Sequence, residues 1–103
     1  MTGLRAVVDR EGVLKLLAEH KPRLVERYGV TELAVFGSVV RGVVDPDSDV
    51  DVLVAFDGPA TSACYFGVMF YLEDLLGRPV DLVTVKALRE ELRPHVMREV
   101  VFV

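Results

Sequence analysis

Leu33-Ala34-Val35-Phe36-Gly37-Ser38-Val39-Val40-Arg41-Gly42, followed by Ser48-Asp49-Val50-Asp51-Val52-Leu53-Val54, decides the fold. An apolar run ends at a Gly-Ser pair. Ten residues on, two aspartates separated by one open a second apolar run. Runs without polar alternation suit strands buried on both faces. Period two places Asp49, Asp51, Leu53 and Ala55 on one face of the second strand, and Val50, Val52, Val54 and Phe56 on the other. Both aspartates then leave the strand in the same direction, as a shared cation requires. Gly37-Ser38 makes the turn, and Val39 to Gly42 is expected to begin a short helix.

The flanking chain fits a sheet covered by helices. Asp9 to Glu19 has helical spacing at Val13, Leu14, Leu16, Leu17 and Ala18. Pro22 is expected to break or kink this helix or to start another, which would end at Gly29. Asp45-Pro46-Asp47 marks an exposed loop between Val43 and Ser48. Thr61 or Ser62 should cap a helix from Ala63 to Leu76, so apolar that it is expected to be largely buried. Gly77 and Pro79 end that helix. Val80 to Val85 reads as a third strand, with Asp81, Val83 and Val85 on one face. Ala87 to Glu99 reads as a helix divided by Pro94, and Val100 to Val103 as a short last strand. The expected architecture is α/β (α+β), a small mixed sheet flanked by helices in one domain over residues 1–103.

Composition narrows the function. With 51% hydrophobic residues the chain can build a core, and with 27% charged residues it is ordinary for a soluble protein. Its longest apolar run, Ala63 to Leu72, is shorter than the roughly 20 residues a membrane span needs. Charged residues from Arg5 onward leave no export signal visible. Cys64 is a single cysteine, which excludes an internal disulfide and a zinc-type cluster. A cytoplasmic chain is expected. A net charge of −4 without a Lys/Arg block speaks against dedicated nucleic-acid binding.

Each of the three strands carries one part of a site: Gly37-Ser38, Asp49 with Asp51, and Asp81. A lone aspartate in an apolar strand is costly to bury as an ion unless it is paired or coordinates a metal. Carboxylates without His or Cys suit a hard cation, so two Mg²⁺ ions, or Mn²⁺, are expected on Asp49, Asp51 and Asp81. Such a set, beside a turn whose amides grip phosphates, provides what two-metal phosphoryl or nucleotidyl transfer needs. Glycine at position 37 lets the backbone approach a phosphate closely. Ser38 can donate a further bond and Arg41 a charge-assisted one. Two other motifs fail here. Val43 stands where a P-loop needs lysine, and Val50 and Phe56 replace the glycine and glutamate of an EF-hand loop. Asp45 and Asp47 are read as loop solvation. His20 and His95 lack a partner motif, and Tyr65, Phe66, Phe70 and Tyr71 are read as core packing.

Gly37-Ser38, ten residues, then Asp49-x-Asp51 resembles the signature of the DNA polymerase β-like nucleotidyltransferase superfamily. Phe36, Arg41-Gly42 and Ser48 around it resemble the minimal nucleotidyltransferase (MNT) family, as does Gly77-Arg78-Pro79-Val80-Asp81-Leu82-Val83. The resemblance implies a polymerase β-like palm and an active enzyme that moves NMP, from ATP first of all, to an acceptor hydroxyl. It implies that Asp49 and Asp51 bind both metals, and that Asp81 binds the catalytic one and helps deprotonate the acceptor. Gly37 and Ser38 would hold the β- and γ-phosphates. It also implies an antitoxin role, with AMPylation of a HEPN-domain ribonuclease toxin. So short a chain is expected to find its acceptor on a partner or a second subunit. Two alternatives stand beside this: a binding antitoxin with little transfer, and an enzyme acting on a small molecule or an RNA end.

Overall fold

The computed structural model describes residues 9–42 and 47–103. In chain order the elements are α1 (Arg10–Tyr28), β1 (Val30–Phe36), β2 (Val50–Phe56), α2 (Ser62–Leu76), β3 (Val80–Thr84), α3 (Arg93–Glu99) and β4 (Val101–Phe102). The strands form one mixed sheet in the order β3-β2-β1-β4. β1 runs antiparallel to β2 and to β4, and β2 runs parallel to β3. The expected α/β architecture, a mixed sheet flanked by helices, is the one found.

Helices α1 and α2 pack on one face of the sheet. Val13, Leu17 and Leu24 of α1 and Val68, Leu72 and Leu76 of α2 are fully buried against Leu33, Val35, Val50, Val52 and Val54. A β-bulge between Val30 and Glu32 restores the parity of β1. Val30 and Leu33, three residues apart, therefore both join the helix-side core. The opposite face carries a smaller cluster of Ala34, Leu53 and Leu88, with Phe36, Val83, Val85, Val96 and Val100 packed beside it.

Three local expectations about helix boundaries need correction. Helix α1 runs unbroken through Pro22. Pro22 and Ala18, whose carbonyl loses its usual donor, both lie on the exposed side. Breaking the helix there would forfeit the burial of Leu24, which outweighs one solvated carbonyl. Val39 to Gly42 forms turns instead of a helix, closed by Arg41 N–H to the Gly37 carbonyl (3.2 Å) and Gly42 N–H to the Val39 carbonyl (3.1 Å). Pro94 sits in the first turn of α3 and so starts that helix where it was expected to divide a longer one.

Helix α2, capped by the Thr61 side chain, buries only one stripe. With one sheet to lie on and no other described element outside it, its outer apolar positions face water: Phe66 is 47% and Phe70 60% exposed. Of the aromatic group read as core, only Tyr65 and Tyr71 pack against it. The loop expected between Val43 and Ser48 is described only from Asp47, so Asp45 and Pro46 lie outside the described residues.

Candidate active site

The mixed topology brings the motif residues to one edge of the sheet. Because β1 is antiparallel to β2, the end of β1 lies beside the start of β2, and Phe36 pairs with Asp51. Because β2 is parallel to β3, Asp51 pairs in turn with Asp81. Phe36, Asp51 and Asp81 thus form one row across three strands. Adjacent strands are about 4.8 Å apart, which sets the two carboxylates side by side on the face away from α1 and α2. Asp49 precedes β2 and is exposed.

Gly37 closes the row. It is buried, with φ +78°, and a Cβ added there would overlap the Asp51 carboxylate at Oδ2. Two demands therefore select glycine here: a left-handed backbone and a carboxylate in contact with Cα. Ser38 follows in the turn and is half-buried.

Asp51 is raised from 3.8 to about 6, first by burial, then by the charges of Asp81 and Asp49. Arg41 pulls the other way, and a side-chain hydrogen bond to Asp81 adds to the rise. Asp49, Asp81 and Arg41 are therefore each within electrostatic reach of Asp51. Among the described residues no three His, Cys, Asp or Glu side chains form a closed metal-binding group. What is present is an Asp51–Asp81 pair with Asp49 at its open end. An all-oxygen donor set under mutual repulsion fits a hard divalent cation, whose charge would relieve that repulsion.

Two residues to which the sequence reading gave no role stand at this site. Glu99, the last residue of α3, accepts the Gly37 N–H at Oε1 (3.0 Å) and is paired with Arg41 at 3.0 and 3.2 Å. It lies 62 residues from Gly37, and nothing local in the sequence points to it. Arg78, buried to 3% exposure, donates to the Ser48 carbonyl from Nε (3.2 Å) and from a terminal nitrogen (2.7 Å), which also reaches Ser48 Oγ (3.1 Å). It fixes the backbone immediately before Asp49, and Val50 N–H to the Pro79 carbonyl (3.0 Å) opens the β2–β3 ladder beside it. A guanidinium between Gly77 and Pro79, leading into an apolar strand, was the available signal, since a buried arginine needs acceptors.

Other polar groups lie apart from the aspartates. His20 Nδ1 meets the Tyr71 hydroxyl at 2.7 Å between α1 and α2. A groove of about 500 Å³ beside Tyr65, Phe66, Leu82 and Thr84 is lined by none of Gly37, Ser38, Arg41, Asp49, Asp51 and Asp81.

Known proteins resemble this chain in sequence and fold. The family model of the nucleotidyltransferase domain matches residues 17–103. This chain belongs to the nucleotidyltransferase family. It is 44% identical over 98 residues to the protein adenylyltransferase MntA of Thermococcus cleftensis, an alignment spanning 95% of this nucleotidyltransferase and 99% of that protein. A solved structure of a candidate minimal nucleotidyltransferase superposes with a TM-score of 0.78 at 38% identity, covering 94% of this chain and 98% of that one. A complex of the tri-AMPylated Shewanella oneidensis HEPN toxin with its MNT antitoxin shares the fold, at a TM-score of 0.57 and 19% identity over 90% and 66% of the chains. No helix among the described residues is long and apolar enough to cross a membrane.

Proposed function

We propose that this nucleotidyltransferase is a protein adenylyltransferase that moves AMP from ATP to a hydroxyl of a partner protein, a HEPN-type toxin, and so acts as an antitoxin. The observation that carries the proposal is the row itself: the buried Gly37 turn in contact with Asp51, and Asp51 in register with Asp81. The sequence relation to a protein adenylyltransferase over nearly the whole chain supports AMP and a protein acceptor.

In this proposal the Gly37 and Ser38 amides and the Ser38 hydroxyl hold the β- and γ-phosphates, with Arg41 as a further charged contact. Asp49 and Asp51 would hold two divalent cations, Mg²⁺ first of all, with Asp81 completing the set. When bound, these ions supply charge stabilisation to the attacking and leaving oxygens of an in-line displacement. The acceptor oxygen attacks the α-phosphorus, the bond to the β-phosphate oxygen breaks, and pyrophosphate leaves. Asp81, the more exposed member of the pair, receives the acceptor's proton. Arg78 holds the entry to β2 so that Asp49 and Asp51 keep their relative placement.

A second reading, neutralisation by binding alone, is favoured by the stacked pair Phe66 and Phe70, exposed with ring centroids 6.1 Å apart. Such a pair suits a protein contact. One experiment separates the two. The chain is incubated with Mg²⁺, α-³²P-ATP and the protein of the neighbouring gene, beside an Asp49→Ala/Asp51→Ala control. Label on the partner that disappears in the control supports transfer. An unlabelled partner that the control still neutralises overturns it in favour of binding.

A further inference from the structure

The amide and guanidinium assigned to the nucleotide's phosphates already hold an anion. Glu99 Oε1 takes the Gly37 N–H at 3.0 Å and one Arg41 nitrogen at 3.2 Å, and Oε2 takes that same nitrogen at 3.0 Å. These are the contacts a phosphate oxygen would make in a turn of this kind. The carboxylate comes from the C-terminal residue of α3, where the helix dipole disfavours a negative charge. Its own helix therefore does not favour the charge there; the antiparallel register of β1 with β4, Val35 against Val101, brings it beside Gly37.

We propose that Glu99 is an internal occupant of the triphosphate subsite, which nucleotide must displace, so that this side chain sets nucleotide affinity. The inference rests on the assignment of Gly37 and Arg41 to phosphate binding. Displacement is within reach of a triphosphate. The Arg41–Glu99 pair is exposed, at 58% and 30% of the two side chains, and exposed ion pairs are weak. The backbone of α3 need not move, because Val96 and Val100 anchor that segment on the sheet while the Glu99 side chain rotates away. The incoming polyanion replaces one carboxylate contact with several phosphate contacts to the same donors.

The test is calorimetric titration of the full chain and its Glu99→Gln variant with Mg²⁺ and a non-hydrolysable ATP analogue, then with inorganic tripolyphosphate, then with adenosine. Removing a weak competing pair should lower Kd about three- to tenfold for the analogue and for tripolyphosphate alike. Adenosine, which lacks phosphates, should show no change. In the unliganded proteins the Gly37 amide proton resonance should move upfield in Glu99→Gln, which reports loss of the carboxylate bond and retention of the fold together. Equal or weaker binding of the triphosphates by a folded Glu99→Gln variant would overturn the proposal and make Glu99 a strut for Arg41. Failure of both proteins to bind analogue and tripolyphosphate would instead overturn the nucleotide site, and this inference with it.

Discussion

Replacing Asp51 with asparagine should stabilise the protein while destroying its chemistry. Asp51 is raised from 3.8 to about 6 by burial and by its acidic neighbours, so the folded chain resists its ionised form. Between those two values the folded state keeps a proton that the unfolded state has released, and stability therefore falls as pH rises through that window. Above about pH 6 the full deficit is present. A shift of this size corresponds to at most about 3 kcal/mol, of which about 1–1.5 kcal/mol survives the screening at a half-exposed group. Asparagine is neutral at every pH, is nearly isosteric, and its amide donates to Asp81. In metal-free buffer at pH 7.5, Asp51→Asn should raise Tm by about 4–10 °C for a domain of this size. The gain should shrink towards zero near pH 4, where the wild-type carboxyl is also protonated. Adding Mg²⁺ should raise the Tm of the wild type and leave the variant nearly unmoved, and AMP transfer should be lost. Thermal melts at the two pH values, with EDTA or with Mg²⁺, provide the measurement. An unchanged or lower Tm at pH 7.5, or a gain that persists at pH 4, would refute the account of Asp51 as a carboxylate under repulsion.

Three further outcomes are expected. Gly37→Ala forces a left-handed alanine against the Asp51 carboxylate, so it should destabilise by about 1–3 kcal/mol in chemical denaturation and reduce transfer about 100-fold. Arg78→Ala leaves the Ser48 carbonyl without its buried donors and should lower stability by about 1–3 kcal/mol, with a matching loss of kcat as the Asp49 end of β2 loosens. The double change Phe66→Ser/Phe70→Ser removes only exposed surface, so its unfolding free energy should stay within about 0.5 kcal/mol of wild type. Its capture of the labelled partner in a pull-down should nevertheless weaken, if that face is where the partner sits.

The strands and the site were legible for one reason: chemistry and core alternate within the same few residues. The face assignment along β2, with Val50, Val52 and Val54 opposite Asp51 and Leu53, follows from period two and is the one found. Gly29 and Gly77 as helix ends, and Thr61 as a cap, rest on local backbone chemistry that tertiary contacts did not alter. The misses came where a distant contact decided the outcome. Pro22 stays helical because Leu17 and Leu24 are buried on either side of it. The outer face of α2 is exposed because, among the described residues, no element packs outside it over Phe66 and Phe70. Glu99 was illegible because its partners lie about sixty residues away in sequence and are brought beside it by the antiparallel pairing of β1 with the short β4 that follows it.

The placement of the carboxylates is dictated by the core beneath them. In a sheet of parallel strands alone, Asp51 and Asp81 would still meet, but the end of β1 would lie at the opposite edge, far from both. Reversing β1 brings the Gly37 turn to the amino ends of β2 and β3. A one-residue slip of β2 would turn Asp51 towards the helices and take Val50, Val52 and Val54 out of the helix-side core. Burying three valines is worth at most about 5–8 kcal/mol, against the about 1–1.5 kcal/mol that ionising Asp51 among its neighbours costs. Core packing therefore holds the aspartates together against their repulsion, and the repulsion that remains is available to a cation that binds between them.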